Sequence, residues 1–264
     1  MAQQNYITNA FGAYYRHEIN EDLQPDAYSM HTHNMYELLY IVSGDATHVV
    51  EDRKYKLKPG DLILIRPLHY HYIQIDSPTT YERYNILFDI EGNNVQSASL
   101  IPEDIEVINL AGNEVIGEIF KKCDLYYTHS DSETFEKILC HLLSELFYYL
   151  VLFPQAQQAK NLGNSRMLSK ALNYINKHLC KPFTVADVAE HLFVSESYLF
   201  RLFQKELHQT PRKYIMDKRL IIAKKMIDAG EKPTLVSEKC GFGDYTTFYR
   251  NYVSFFGSTP SKAE

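Results

Sequence analysis

The sequence predicts a two-domain α+β chain: an N-terminal β-barrel with flanking helices, then an all-α segment built on two helix-turn-helix motifs. Three observations carry that expectation. Short runs of β-branched and aromatic residues, separated by turn formers, fill residues 28–88. From residue 114 the apolar positions recur at three and four residues, which is the helical period. Beyond residue 165 the pattern is helical almost throughout, and it contains a near repeat of about fifty residues.

In the first zone, residues 1–113, the strand-like runs are Glu37–Val42, Asp61–Ile65 and Tyr84–Phe88. Ser43-Gly44-Asp45 and Pro59-Gly60-Asp61 punctuate them as turns. Short strands at this spacing make a sandwich or barrel. In residues 114–153 two amphipathic helices account for Val115, Ile119 and Leu125, then Phe135, Ile138, Leu139, Leu142, Leu146 and Tyr149. Their stripe has two readings that coexist, packing on the sheet and dimerisation. Residues 154–165 are polar and Gln-rich, as a linker is. Residues 166–264 form the helical domain.

Composition bounds the partners. The chain has 264 residues at 45% hydrophobic, enough for two modest cores, and a net charge of −6. From Ser165 onward 16 Lys and Arg face 10 Asp and Glu, a net of +6, so residues 1–164 carry −12. An acidic domain joined to a basic one suits approach of the second to phosphates. Cys123, Cys140, Cys180 and Cys240 are scattered without a CxxC pair and read as small buried hydrophobes in a reducing compartment. The most apolar run, Leu142–Phe153, is interrupted by Glu145 and falls short of the about 20 residues of a membrane span. A cytoplasmic protein with no membrane partner is expected.

The helical domain announces its helix starts. Thr184 with Asp187 resembles a capping box, Ser195 and Asp244 are caps, and Thr210-Pro211 places proline at the first helical position. Gly230 followed by Pro233 ends the long helix. In the first copy of the repeat Val185, Val188, Ala189 and Leu192 form an apolar face, and Leu199, Leu202 and Phe203 point inward on the next helix. In the second, Leu235, Val236 and Ser237 precede a turn at Cys240-Gly241-Phe242, and Phe248 and Tyr252 point inward. A small residue (Ala189, Ser237) lies five positions before an apolar anchor (Val194, Phe242) in each, permitting the close crossing a helix-turn-helix needs.

The outer faces then present Ser195, Glu196, Ser197, Phe200, Arg201, Gln204 and Lys205 in one copy, and Tyr245, Thr246, Tyr249 and Arg250 in the other. Arg bonds guanine bidentately, Ser and Thr reach bases or phosphates, and an aromatic touches a thymine methyl. Residues 211–228 form a strut of roughly 27 Å between the copies, suited to successive major grooves about 34 Å apart.

On Leu199–Phe203, Tyr214, Arg219, Ala223, Cys240–Phe248, Arg250 and Phe256–Pro260, the last hundred residues resemble the AraC family of bacterial transcription regulators. The resemblance implies double-stranded DNA as a partner, a small-molecule effector, a homodimer, and RNA polymerase as a further contact. It departs from the family where His208 stands for Gly, Ser237 for Ala, and Asn251-Tyr-Val-Ser254 for a Lys-rich stretch, so the second recognition helix has fewer phosphate contacts.

In the first domain His31-Thr-His33-Asn-Met-Tyr36-Glu37, with Gly44, Gly60, Pro67 and His71, resembles the metal-holding spacing of cupin barrels. Two histidines at alternate strand positions, with Glu37 and His71, form a three-His, one-carboxylate set suited to a divalent transition metal. The family resemblance equally implies a metal-free effector pocket lined by His31, His33, Tyr36, Glu37 and His71, and structural histidines are a third reading. No cofactor is required. The 21 tyrosines lean weakly toward a carbohydrate or aromatic effector.

The leading expectation is a DNA-binding regulator, not an enzyme, whose N-terminal segment and helices repack when the effector enters. The alternatives are a metal-dependent cupin enzyme fused to DNA-binding helices, and a constitutive dimer without effector, favoured by a filled barrel.

Overall fold

Strand β2 (Tyr36–Ser43) sits between two others, and its alternation builds the N-terminal unit. Leu38 and Tyr40 turn to one face and Leu39 and Ile41 to the other, and both faces are covered. In this computed structural model the described residues are 13–21, 23–24, 27–103, 105–153, 157–158 and 165–261. The chain divides into two units, residues 1–162 and 163–264.

In the first unit β1 (Tyr14–Asn20), β7 (Tyr81–Phe88), β2, β5 (Asp61–Ile65), β8 (Val107–Asn109) and β9 (Gln157–Gln158) form a six-stranded sheet in that order. A smaller sheet runs β4 (Arg53–Lys56), β3 (Ala46–Val50), β6 (His71–Ile75). Every pairing is antiparallel. Leu39, Ile41, Val50, Ile63, Ile65 and Ile73 pack together between the sheets. On the outer face Leu38, Leu62, Leu64, Tyr84, Ile86 and Phe88 meet helices α1 (Glu114–His129) and α2 (Ser132–Leu152). Strand β5 is buried at all five positions, which is why it reads as an unbroken apolar run. Gly60 lies at φ +85°, and a Cβ there would come 2.8 Å from the Ala111 backbone, so the turn before β5 requires glycine.

The β-rich domain is as expected, with one correction, to the buried face of its first helix. Asn113 and Asp131 cap α1 and α2. The buried face of α1 is Ile116, Ile119, Phe120 and Cys123, whereas Val115 and Leu125 are 46% and 55% exposed. Leu125 is nine residues beyond Ile116, two and a half turns on, and therefore on the opposite side. Helix α2 buries Phe135, Leu139, Leu142 and Leu146 against the sheet, so packing is the role the structure shows. Most of the expected 154–165 linker lies outside the described residues; of those described, 157–158 pair with β8 as an edge strand. Of the cysteines, Cys180 is exposed, because it sits in the loop after α3 rather than in a core. No helix among the described residues is long and apolar enough to cross a membrane.

The second unit comprises α3 (Arg166–His178), α4 (Val185–His191), α5 (Glu196–Leu207), α6 (Pro211–Asp228), α7 (Pro233–Lys239) and α8 (Tyr245–Phe256). Ser165, Ser195, Thr210 and Asp244 each accept from the backbone N–H three residues on, and Thr184 and Asp187 form the full capping box. The five-residue spacing of the repeat has a cause beyond helix crossing. Val194 N–H donates to Ala189 C=O, and Phe242 N–H to Ser237 C=O, both at 3.0 Å. One residue earlier Phe193 donates to Glu190 C=O and Gly241 to Glu238 C=O, again at 3.0 Å. Both turns are thus the same Schellman closure, with the left-handed residue at Phe193 (φ +56°) and Gly241 (φ +74°).

Buried Arg219 of α6 holds the second turn. Its guanidinium donates to the carbonyls of Leu179 (2.9 Å), Lys181 (2.8 Å) and Gly241 (2.9 Å), and stacks over Phe183. A Cβ at Gly241 would meet the Lys181 carbonyl at 2.9 Å and the guanidinium at 3.1 Å. Gly241→Ala is expected to cost about 2 kcal/mol, while Phe193→Gly, at a 96% exposed left-handed position, leaves stability unchanged or raises it by up to about 1 kcal/mol. Urea denaturation of the two full-length variants checks the opposite signs; equal losses would overturn the shared-turn account.

Candidate ligand site and nucleic-acid interface

The histidine cluster is assembled at one edge of the intersheet space. Glu37 is the second residue of β2, on the same face as Leu39 and Ile41. His71 opens β6, and an isolated bridge joins it to His31, N–H to C=O in both directions at 3.0 and 2.9 Å. His33 follows in irregular backbone before β2. The expectation of His31 and His33 at alternate positions of a strand is therefore corrected: His31 makes only an isolated bridge and His33 stands in irregular backbone, after which the bend at 34–35 leads into β2. The four predicted residues converge nonetheless, with one ligand atom from each of His31, His33, Glu37 and His71 lying within 4.8 Å of the others.

Each imidazole is oriented by its own backbone. Nδ1 of His31, His33 and His71 lies 2.9, 3.0 and 2.9 Å from the carbonyls of Ser29, Met35 and His69. A carbonyl only accepts, so Nδ1 carries a proton in all three and Nε2 faces the cluster, where a hydrogen bond between Nε2 and a carboxylate oxygen takes a second proton. Nε2 of His33 and of His71 lie 3.0 and 2.8 Å from the same Glu37 Oε2. Burial acts to raise the Glu37 pKa, but the hydrogen bonds from His33 and His71 overcome it and hold the carboxyl well below the usual range. Burial lowers His31 to about 4, helped by neighbouring His71.

Tyr36 is not brought to this site. It is the neighbour of Glu37 in a strand, so its side chain points the other way and stacks on Phe88 at 5.5 Å in the helix-facing core. Sequence reasoning missed His48, which is fully buried on β3, has no hydrogen-bond partner on either ring nitrogen among the described residues, and lies 6.4 Å from the His71 ring. Its signal was present: Ala46, His48 and Val50 alternate inward. Also missed was Asp124 of α1, which accepts from Tyr15 (2.6 Å) and Tyr84 (2.8 Å) and pairs with His17 (3.0 Å), tying the helix to β1 and β7.

In the helical unit Ser195, Glu196, Ser197, Phe200, Arg201, Gln204 and Lys205 all lie exposed along α5, and Tyr245, Thr246, Tyr249 and Arg250 along α8. Leu199 and Phe203, like Phe248 and Tyr252, are buried behind them, and Leu202 is half-buried. Phe200 is 48% exposed, and Tyr245 and Tyr249 form an exposed ring pair 6.2 Å apart. Ser195 is engaged as the α5 cap, and Lys205 makes a solvent-exposed pair with Glu206 at 3.3 Å. An outer face of aromatic, hydroxyl and Arg side chains is the composition that reads a DNA groove.

A β-rich unit with a converging polar set, joined to a helical unit with duplicated helix-turn-helix turns, defines a ligand-responsive class of DNA-binding protein. Two family models agree: an AraC-like ligand binding domain matches residues 19–93, and a helix-turn-helix domain matches residues 188–264. The chain belongs to the AraC family of transcriptional regulators. It is similar to the uncharacterised HTH-type regulator YfiF of Bacillus subtilis (strain 168), 25% identical over 88% of this chain and 77% of that one. A second B. subtilis regulator, YbfI, is 26% identical over 81% of this chain and 78% of its own. The raffinose operon transcriptional regulatory protein RafR of Pediococcus pentosaceus is 21% identical over 86% and 83%. These relatives are transcriptional regulators, and the alternative of a metal-dependent enzyme is displaced by them.

The orphaned His48 generates a test of the site's electrostatics. Burial, reinforced by nearby His71, holds it to about 3, whereas the unfolded chain takes up that proton below about 6.5. The neutral ring therefore adds stability above pH 6.5 that is lost as pH falls toward 3, at about 1.4 kcal/mol per unit. In chelator, His48→Leu is expected to flatten the decline in urea stability between pH 7.5 and 5.0 without lowering it at pH 7.5. An unchanged pH slope would sink this account.

Proposed function

We propose that this chain is a sequence-specific transcription regulator whose hold on double-stranded DNA is set by a small effector bound at the His31–His33–Glu37–His71 cluster. The observation that carries the DNA half is the duplicated Schellman turn, which presents two exposed faces of like chemistry on one unit. Arg201 reads a guanine, Ser197 and Thr246 reach bases or phosphates, and Phe200 and Tyr249 touch thymine methyls. Ser195, Lys205, Tyr245 and Arg250 position the helices on the backbone. The α5 face, with Arg201 and Lys205, is the stronger reader. A second copy of the chain and RNA polymerase are further proposed partners, and the cytoplasm is the proposed location.

For the effector, a carbohydrate rests on the name of the raffinose operon relative. The tyrosines that suggested it are otherwise occupied: Tyr15, Tyr40 and Tyr84 pack toward the helices, and Tyr55 and Tyr81 belong to the intersheet core. Imidazole and carboxylate remain as the recognition chemistry, and the effector's influence on DNA is bounded by its differential affinity for the two arrangements.

Arg201→Ala is expected to cost about 1–3 kcal/mol on the selected site and to relax discrimination at one base position. Equal weakening on all sequences would make Arg201 a phosphate clamp instead. Affinity is expected to fall log-linearly with salt as Lys and Arg displace counterions, and a flat salt response would overturn the DNA-binding reading.

A further inference from the structure

We infer that the effector is a divalent first-row transition-metal ion, held by Nε2 of His31, His33 and His71 and a carboxylate oxygen of Glu37. The inference rests on the regulatory reading above and names the ligand of that same site.

The donor set is the first reason. Three imidazole nitrogens and one carboxylate suit zinc, cobalt, nickel or iron and are poor ligands for calcium or magnesium, which take oxygen. Dimensions are the second. Four atoms bonded at about 2.1 Å stand about 3.4 Å apart in a tetrahedron. Glu37 Oε2 lies 3.0 and 2.8 Å from Nε2 of His33 and His71, and all four atoms lie within 4.8 Å of one another, so around an ion the close pairs part by about 0.5 Å and the wider ones close by at most about 1.4 Å. The third is orientation: each Nδ1 is tied to a main-chain carbonyl, which fixes the ring plane and leaves Nε2 as the donor atom.

Surroundings argue for an ion over a larger organic molecule. The intersheet space is lined mainly by aliphatic side chains, among them Leu39, Ile41, Val50, Ile63, Ile65 and Ile73, which offer a sugar's hydroxyl groups no hydrogen bond, and of its two buried tyrosines Tyr55 is already engaged, donating to Glu106 at 3.1 Å. Of the buried polar groups nearby, His48 has both ring nitrogens, and Thr32 its hydroxyl, without a partner among the described residues. His33, Glu37 and His71 are buried while His31 is only partly so, which places the approach for an ion on the His31 side. Occupancy would fasten the 31–33 segment, the first residues of β2 and the start of β6 to one centre, and that is the element by which binding is felt in the rest of the unit.

The test uses the untagged full-length chain, stripped with chelator and freed of it, then titrated with Co2+ while its visible absorption is followed. One equivalent per chain is expected, with ligand-field bands that shift on displacement by Zn2+. His33→Gln is expected to weaken Co2+ binding by more than about 100-fold. His31→Gln, at the partly exposed edge, should weaken it as well and serves as the second variant if His33→Gln does not fold, judged by its melt in chelator. In parallel, duplexes selected from random sequence are bound by stripped and by Zn2+-loaded chain, and a difference of at least about tenfold is expected. Less than a tenth of an equivalent bound, or equal binding by both variants, overturns the proposal. So does a full equivalent with DNA affinity unchanged within twofold, since the ion would then be structural. If neither form binds any duplex, the regulatory reading of the preceding section has failed instead, and the cobalt titration still reports on the site separately.

Discussion

A carboxylate buried among apolar strands has to be compensated, and Glu37 is the point on which the N-terminal unit turns. Its 5% exposure leaves water no part in the solvation of its charge. An uncompensated ion in such a place would cost several kcal/mol, so partners must be brought to it from elsewhere in the chain. They come from two segments far apart in sequence, residues 31–33 and the start of β6 at His71. Compensation therefore fixes more than a local contact: it sets where the irregular stretch before β2 runs and where the smaller sheet begins. The alternation of β2 does the rest, because putting Glu37 inside obliges Tyr36 and Leu38 to face the helices.

The helical unit solves the same problem in another way. Arg219 is 8% exposed and meets no carboxylate among the described residues; three main-chain carbonyls take its guanidinium protons. Those carbonyls belong to the loop after α3 and to the turn between α7 and α8, so one side chain on the strut defines where the second helix-turn-helix begins. The close approach this demands is available only over a residue without Cβ, which is why Gly241 stands there. In the first copy nothing crowds the matching position, and Phe193 occupies the same left-handed conformation with its ring in solvent. The two turns share a backbone and differ in what is packed against it, and the inequality of the copies begins there.

Much of this was legible in the sequence, and the reasons differ by residue. Caps at Thr184, Ser195, Thr210 and Asp244 were readable because capping is local chemistry between neighbours a turn apart. Strand β5 was readable from its unbroken apolar run, and the repeat from its spacing, although the Schellman bonds that cause that spacing needed coordinates. The grouping of His31, His33, Glu37 and His71 was expected from their spacing together with its resemblance to that of cupin barrels. Strands β1, β3 and β4 were not distinguished, since Tyr14–Asn20 and Arg53–Lys56 mix charge with aromatics and their burial is decided by strands distant in sequence. For the same reason His48 escaped notice and Arg219 was noticed only as part of a family pattern: what makes each significant is the company a fold brings to it, His71 in one case and three carbonyls in the other. Tyr36 was misplaced by treating proximity in sequence as proximity in space, which a strand reverses at every residue.

The same alternation gives a ligand proposed at Glu37 a route beyond the cluster. Strand β2 carries Glu37, Leu39 and Ile41 on the intersheet face and Leu38 and Tyr40 on the helix face, and Tyr40 stacks on Phe120 of α1 at 4.5 Å and 7°. Helix α1 is further tied to β1 and β7 by the grip of Asp124 on Tyr15, Tyr84 and His17. A shift at the start of β2 is thus presented to the helix layer without any intervening loop, through packing too dense to absorb it gradually. A ligand at a thousand times its dissociation constant supplies about 4 kcal/mol to whichever arrangement binds it, while allosteric couplings are about 1–3 kcal/mol. Only a fraction of the binding free energy then has to reach the helices for the regulator to respond, and one strand with two working faces is a sufficient route for it.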